Sequence, residues 1–353
     1  MTDNKLAASL YGELEQTLPV ITPKENPYSM VRQGTVTNTL SKMTPTKHSL
    51  PVNIDNIAGT ATYQQGRMSL IVPYTKDFEG LKDSAHHLLD AITREYTATG
   101  GKEAKVVLHI NEYMELRGLR DKKETTKQVR KDLNVLTSIK IAWENNEKNS
   151  KATGSFGFIN IAEKGEYNAK SNTIEFTFTQ SFFDILKTYN PMPYPDKLFK
   201  INSKRHPYSR ALGRKIAEAK NMDFNKPKED ILTVKSLLTQ CFGMPSYEEV
   251  MKGGRDVKRK IIDPFIRDMD ALEEEGICSY HFLHKDNTPL TDKELDRISY
   301  NDFITLKVVI TWFDYPTDIQ KAKIERKAQR IEADKKKRGR PKKASGAAGT
   351  SDK

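Results

Sequence analysis

The sequence predicts an α+β fold in which one succession of elements, helix–short strand–helix–basic helix–strand hairpin, occurs twice in tandem. Three observations predict it. Apolar residues recur at helical spacing in six separate stretches. Runs that alternate apolar and polar residues follow each set of three, divided by polar turns and loops. The order over residues 82–182 then returns over 206–315, as a repeat of architecture rather than of residues.

Residues 1–58 are rich in Thr, Asn, Pro and Ser without a sustained period, which predicts an irregular N-terminal arm. The first unit is placed at 59–200. "GRMSLIVPYT" (66–75) has the pattern of a strand, and "KDSAHHLLDAITREYT" (82–97) that of a helix with Leu88, Leu89, Ile92 and Tyr96 on one face and Asp83 or Ser84 as cap. "KVVLHI" (105–110) is a short strand, and "NEYMELRG" (111–118) a short helix stopped at Gly118. The third helix, "DKKETTKQVRKDLNVLTS" (121–138), turns Val129, Leu133 and Leu136 inward and a row of Lys and Arg outward. Strands are expected at 139–145, 155–164 and 173–182, with the polar turn 145–154 as the tip of a wing.

The second unit is placed at 201–318. Residues 206–222 form a helix with Leu212, Ile216 and Ala219 inward, 230–234 a short strand, and 234–243 a second helix. A long third helix spans 253–276, with Pro264 expected to kink it, and strands follow at 277–285 and 302–315. Residues 319–353 are a basic helix and a disordered tail. Helix–strand–helix–helix–hairpin is the order of a winged helix, so the expected fold is two tandem winged-helix domains.

Charge is unevenly placed. Residues 319–353 carry 13 Lys/Arg and 4 Asp/Glu, so they supply +9 of the net +11 and leave the remaining chain close to neutral. Any basic surface on the body must therefore come from patterning. Two distant cysteines in apolar surroundings, Cys241 and Cys278, read as buried free thiols of a reducing compartment. Without a signal-peptide layout or an apolar run of spanning length, the expectation is a soluble cytoplasmic protein with no membrane partner.

Catalytic patterns are poor. His86 and His87 are adjacent, His281 and His284 are three apart, and neither makes the His-x-His pair of a metal-dependent nicking site. There is no phosphate-binding GxxxxGK[ST] and no CxxC pair for zinc. The reading is a binding protein with no catalytic residue, metal or cofactor. The strand aromatics Trp143, Phe156, Phe176, Phe178, Trp312 and Phe313 alternate with polar residues and are assigned mainly to the core.

A helix fits the major groove of B-DNA and presents side chains there to base edges. The candidates in the first unit are Lys123, Thr125, Thr126, Lys127, Arg130 and Lys131; in the second they are Arg255, Lys258, Arg259 and Lys260. The second helix is positive at its start and acidic at its end (268–276), opposite to what the helix dipole favours, which an external anion explains. A single charge run is more commonly a solvated face; two in matching positions weigh toward DNA. In the tail, Arg338, Gly339, Arg340 and Pro341 have the form of an AT-hook core, suited to the narrow, negative A·T minor groove.

The stretch "HPYSRALGRKIAEAKNM…ILTVKSLLTQCFG…RDVKRKIIDPFIRDMDALEEEGICSYHF" resembles the second winged helix of plasmid replication initiators of the theta-type, iteron-binding family. There a similar KRxxIDP helix follows a short helix, and residues 82–182 resemble the partner winged helix in layout. The resemblance implies binding to repeated origin sites in double-stranded DNA and opening of A·T-rich duplex. It further implies a homodimer, and a host helicase or replication initiator as partner. A transcriptional repressor of a mobile element shares every local feature, and a protein-binding adaptor is the reading without DNA.

Overall fold

The computed structural model describes residues 27–44, 51–65, 68–73, 81–145, 155–253 and 256–318, together with 321 and 325. Part of the segment expected to be an irregular arm is regular. β1 (Tyr28–Gln33) and α1 (Thr35–Leu40) follow one another, and Val31, Leu40 and Met43 are buried. Elements of six residues are too short to show a period, and the partner of β1 lies far along the chain at Asn190–Pro195. That partner holds Pro191, Pro193 and Pro195 at alternate positions. Proline has no N–H to donate, so it suits a strand with an unpaired edge, and this one pairs with β1 alone.

Next come β2 (Asn53–Asp55), β3 (Thr60–Gln65), β4 (Met68–Pro73), α2 (Asp83–Ala98), β5 (Lys105–His109), α3 (Ile110–Arg117) and α4 (Lys122–Ser138). They are followed by β6 (Lys140–Asn145), β7 (Ser155–Asn160), β8 (Ala162–Asn168), β9 (Thr173–Phe178), α5 (Gln180–Thr188) and β10 (Asn190–Pro195). Here the expected hairpin is corrected. β6 and β7 join β2, β3 and β4 in an antiparallel five-stranded sheet, ordered β2-β3-β4-β6-β7. The wing of the first unit is instead β8–β9, paired with the short strand in the order β5-β9-β8. Its tip is 168–172, not 145–154, of which 146–154 lie outside the described residues. Alternation alone cannot say which of several hairpins pairs with a three-helix unit.

The second unit consists of α6 (Ser209–Asp223), β11 (Ile231–Thr233), α7 (Val234–Leu238), α8 (Tyr247–Lys252), α9 (Asp263–Glu274), β12 (Cys278–Leu283), α10 (Asp292–Arg297), α11 (Tyr300–Phe303) and β13 (Lys307–Trp312). Its sheet runs β11-β13-β12, with the short strand, second hairpin strand and first hairpin strand in the same positions as in β5-β9-β8. The tandem winged-helix repeat is therefore one of topology as well as of order. The polar loop expected between the hairpin strands contains α10 and α11, each capped by a hydroxyl, Thr291 and Ser299.

Residues Met1–Asp314 form one compact unit, and Tyr315–Lys353 a second, of which 315–318, 321 and 325 are described. Trp143 and Phe156 have side chains outside the described set, while Phe176 and Phe178 are fully buried as expected.

The centre of the larger unit is α2, where every residue from Ala85 to Thr93 is buried. A helix buried all round has no face for its polar groups, so each needs a partner. The expected caps Asp83 and Ser84 are engaged in that task, and no side chain caps α2. Asp83 accepts from Arg210 and Ser203 and lies 3.1 Å from His87; Ser84 donates to Asp132 at 2.9 Å. Asp90 accepts from Arg214 at 2.7 Å and from the Tyr194 hydroxyl at 3.1 Å, with Arg210 at 3.6 Å. Arg214 continues to Glu218 at 3.4 Å, and Arg210 also donates to the Ser41 carbonyl at 2.6 Å.

Burial by itself raises the Asp83 carboxyl, yet Arg210 and His87 hold it well below the usual carboxylate range. Burial pushes the His86 and His87 imidazoles down, to about 3 and about 4, so both are neutral at pH 7. His86 Nε2 sits 2.8 Å from the Met43 carbonyl. At Gly213 of α6 an added Cβ would collide with Leu198, so the second unit's first helix approaches the connecting turn closely. Replacing Arg210 by Met should destabilise the protein by about 3–5 kcal/mol in denaturant titration, because two buried carboxylates lose a cation.

Candidate nucleic-acid interface

Two helices carry the predicted cations outward, and they are built differently. In the first unit, Gly118 adopts a left-handed φ of 65° that ends α3, and Asp121 caps α4 by accepting from Glu124 N at 3.0 Å. α4 buries Thr125, Val129, Asp132, Leu133 and Leu136 against α2 and β8. Lys123, Lys127 and Arg130, spaced i, i+4, i+7, therefore share the opposite face, with Lys131 beside them, and all four are exposed. Lys127 has one loose partner, Glu124 at 3.9 Å, with both side chains about two-thirds exposed, an arrangement that water screens.

Thr125 is corrected. It is 6% exposed, and its hydroxyl donates to the Asp121 carbonyl at 2.6 Å, so it belongs to the inner face of the first turn. Thr126 remains partly accessible, with its hydroxyl donating to the Lys122 carbonyl at 2.8 Å.

The wing is tied to this helix. The Arg130 guanidinium lies over the Tyr167 ring, 5.7 Å from its centroid. The Tyr167 hydroxyl donates to Asn172 Oδ1 at 3.2 Å, and the Asn172 carbonyl accepts from Ile110 N, the first residue of α3, at 3.0 Å. Asn172 itself holds a left-handed φ of 55°, which Asn tolerates better than most residues. Asn168 Oδ1 accepts from the amides of Lys170 and Ser171, at 3.0 and 3.4 Å, so Lys170 stands on a closed tip. Sequence reasoning missed Tyr167 and Asn172, since an aromatic in an alternating strand carries no mark of the helix it will meet.

The second unit's helix begins at Asp256, whose carboxylate accepts from Arg259 N at 3.1 Å. Lys258–Ile262 is a π turn, closed by Asp263 N donating to the Lys258 carbonyl, and it runs directly into α9 with Pro264 in its first turn. The π turn thus stands immediately before the proline at which a kink is expected. A proline ring crowds the carbonyl four residues earlier and offers no N–H, and a widened turn accommodates both.

Arg259 and Lys260 are exposed. Lys258 is half-buried, and its Nζ donates to the Asp296 carbonyl at 2.7 Å, 3.4 Å from that residue's carboxylate. It thus braces α10 against the helix start. Arg255 and the tail residues Arg338, Gly339, Arg340 and Pro341 lie outside the described residues. Of the acidic end, Asp268 is buried, accepting from the Ser209 hydroxyl through its carbonyl and from Arg267 through its carboxylate, both at 3.0 Å. Among the described residues no three His, Cys, Asp or Glu side chains are grouped to hold a metal ion, and no helix is long and apolar enough to cross a membrane.

Residues 72–191, from the end of β4 to the start of β10, match the family described as "Initiator Replication protein, WH1". No curated protein matches the chain. Among solved structures, domains 2 and 3 of RctB align at 12% identity, covering 80% of this chain and 99% of that one, with a TM-score of 0.46. The Pi initiator protein in complex with iteron DNA aligns at 11% identity, covering 66% and 91%, with a TM-score of 0.43.

The link between helix and wing has a measurable consequence. A double-mutant cycle of Arg130→Ala and Tyr167→Leu, read by denaturant unfolding, should show a coupling of about 0.5–1 kcal/mol. Tyr167→Phe should retain it, since the ring and not the hydroxyl meets the guanidinium; strictly additive effects would show the two side chains to be independent.

Proposed function

We propose that the chain starts replication of a plasmid or mobile element by binding repeated origin sites and promoting opening of adjoining A·T-rich duplex, a reading supported by the match of residues 72–191 to the initiator replication protein family. One observation carries the reading: two units of identical strand order each present an exposed basic helix start on a body whose charge is otherwise balanced. Lys123, Lys127, Arg130 and Lys131 of the first unit, and Arg259 and Lys260 of the second, are the proposed contacts. Arg and Lys suit guanine edges and phosphates in the major groove. Thr126 lies at the margin of the first set, Arg255 adjoins the second, and Lys258 supports the helix start.

Lys170 on the wing tip reaches a phosphate or the neighbouring minor groove. Arg338, Gly339, Arg340 and Pro341 serve as a tether in A·T minor groove. The family resemblance supports self-association into a homodimer and recruitment of a host helicase or replication initiator. No catalytic residue or cofactor is assigned.

Selection of bound sequences from the element's own DNA, footprinted at a stated salt concentration, tests the reading. The expected result is several direct repeats beside an A·T-rich stretch; one inverted site over a promoter would make the protein a repressor. Arg259→Ala should weaken binding to the selected site by about 1–3 kcal/mol and relax preference at one base position. Deleting 335–353 should weaken binding to A·T-rich duplex more than to G·C-rich duplex, with equal losses showing the tail to be unspecific charge.

A further inference from the structure

Between the two winged helices lies a cleft of 1310 Å³. Its walls include Gly118 and Leu119, in the turn that leads into α4, and Phe242–Pro245, in the stretch that precedes α8. Its floor is the connection between the units, residues 200–204. The connection "KINSKRH" (200–206) is itself basic, and Lys200, Lys204 and Arg205 are exposed. None of these three side chains has a hydrogen bond or ion pair to another described residue.

The backbone that carries them is held. Ile201 is buried, Asn202 Oδ1 accepts from Lys204 N at 3.0 Å, and the Asn202 carbonyl accepts from Arg205 N and His206 N at 3.0 and 2.9 Å. Ser203 donates to Asp83. The two carboxylates lining the cleft are occupied: Asp83 by Arg210 and His87, Glu249 by the amide of Ser246 at 2.7 Å.

We propose that this connection is a third DNA contact, a phosphate clamp of Lys200, Lys204 and Arg205 that grips the duplex backbone between the two helix-reading units. The proposal rests on the DNA-binding reading above. Recognition helices that occupy successive major grooves on one face stand about 34 Å apart, and the backbone bordering the intervening minor groove passes between them. The connection lies in the cleft between the units, so a duplex docked on both helices passes over it in this proposal. Three cations on a pinned turn meet phosphates with little ordering left to do, and they carry no sequence information.

The test uses the full chain and two duplexes, one holding the selected site and one unrelated, titrated across a series of salt concentrations. Lys200→Gln/Lys204→Gln/Arg205→Gln should lose affinity by the same factor on both. The slope of log affinity against log salt should become shallower by about 0.9 for each phosphate that the variant no longer neutralises. Thermal unfolding should not change, because the substituted side chains are exposed.

A control with Lys226→Gln/Lys228→Gln, beyond the far end of α6 and about 20 Å away along the helix, should leave the slope as in the wild type. An unaltered slope in the triple variant, or an equal reduction in the control, overturns the clamp. A wild-type chain that binds all duplexes alike would sink the origin-reading function and leave the slope comparison decisive. One that retains no duplex at low salt would sink both.

Discussion

Asp83 and Asp90 stand on a helix that is buried on all its sides, and the arrangement of the two winged helices depends on how these carboxylates are paired. Both partners, Arg210 and Arg214, come from the first helix of the other unit. A buried ion pair adds little net stability over apolar packing, but it is unforgiving of misalignment, since an unpaired charge in that place costs several kcal/mol. The cluster therefore specifies one docking of α6 on α2. The close approach at Gly213 and the hydrogen bonds of the Ser203 and Tyr194 hydroxyls to Asp83 and Asp90 hold the same docking.

That docking gives meaning to charges that look ordinary in sequence. The body is nearly neutral, and several of its acidic residues are engaged inside it or at helix starts: Asp121, Glu249 and Asp256 in capping contacts, Asp268 beneath α6. Exposed cations stand on the outer face of α4, at the helix start that leads into α9 and along the connection.

The two basic helices are unlike each other in how they begin. α4 is a capped, regular helix whose Arg130 rests on the wing through Tyr167. Its counterpart begins in a π turn just ahead of Pro264 and is braced from outside by the bond from Lys258 to Asp296. A widened turn advances its side chains by a different angle per residue, so Arg259 and Lys260 are not presented as an ordinary helix would present them. The units share a topology while differing in how they display it.

The six main helices, the tandem order, the exposed row on α4 and the near neutrality of the body are legible in the residues alone. These follow from periods of 3.6 and 2, from caps and from charge counts, all local quantities. Tertiary structure decided what depends on distant partners. It withdrew Thr125 into the first turn of α4, engaged Lys258 with a helix 38 positions further on, and turned Asp83 and Ser84 to neighbours instead of a cap. It also chose β8–β9 over β6–β7 as the wing and gave β1 a proline-bearing partner. Strand pairing and buried charge pairing are contacts between residues tens to hundreds of positions apart, and a local pattern records that a strand or a charge exists without recording which partner satisfies it.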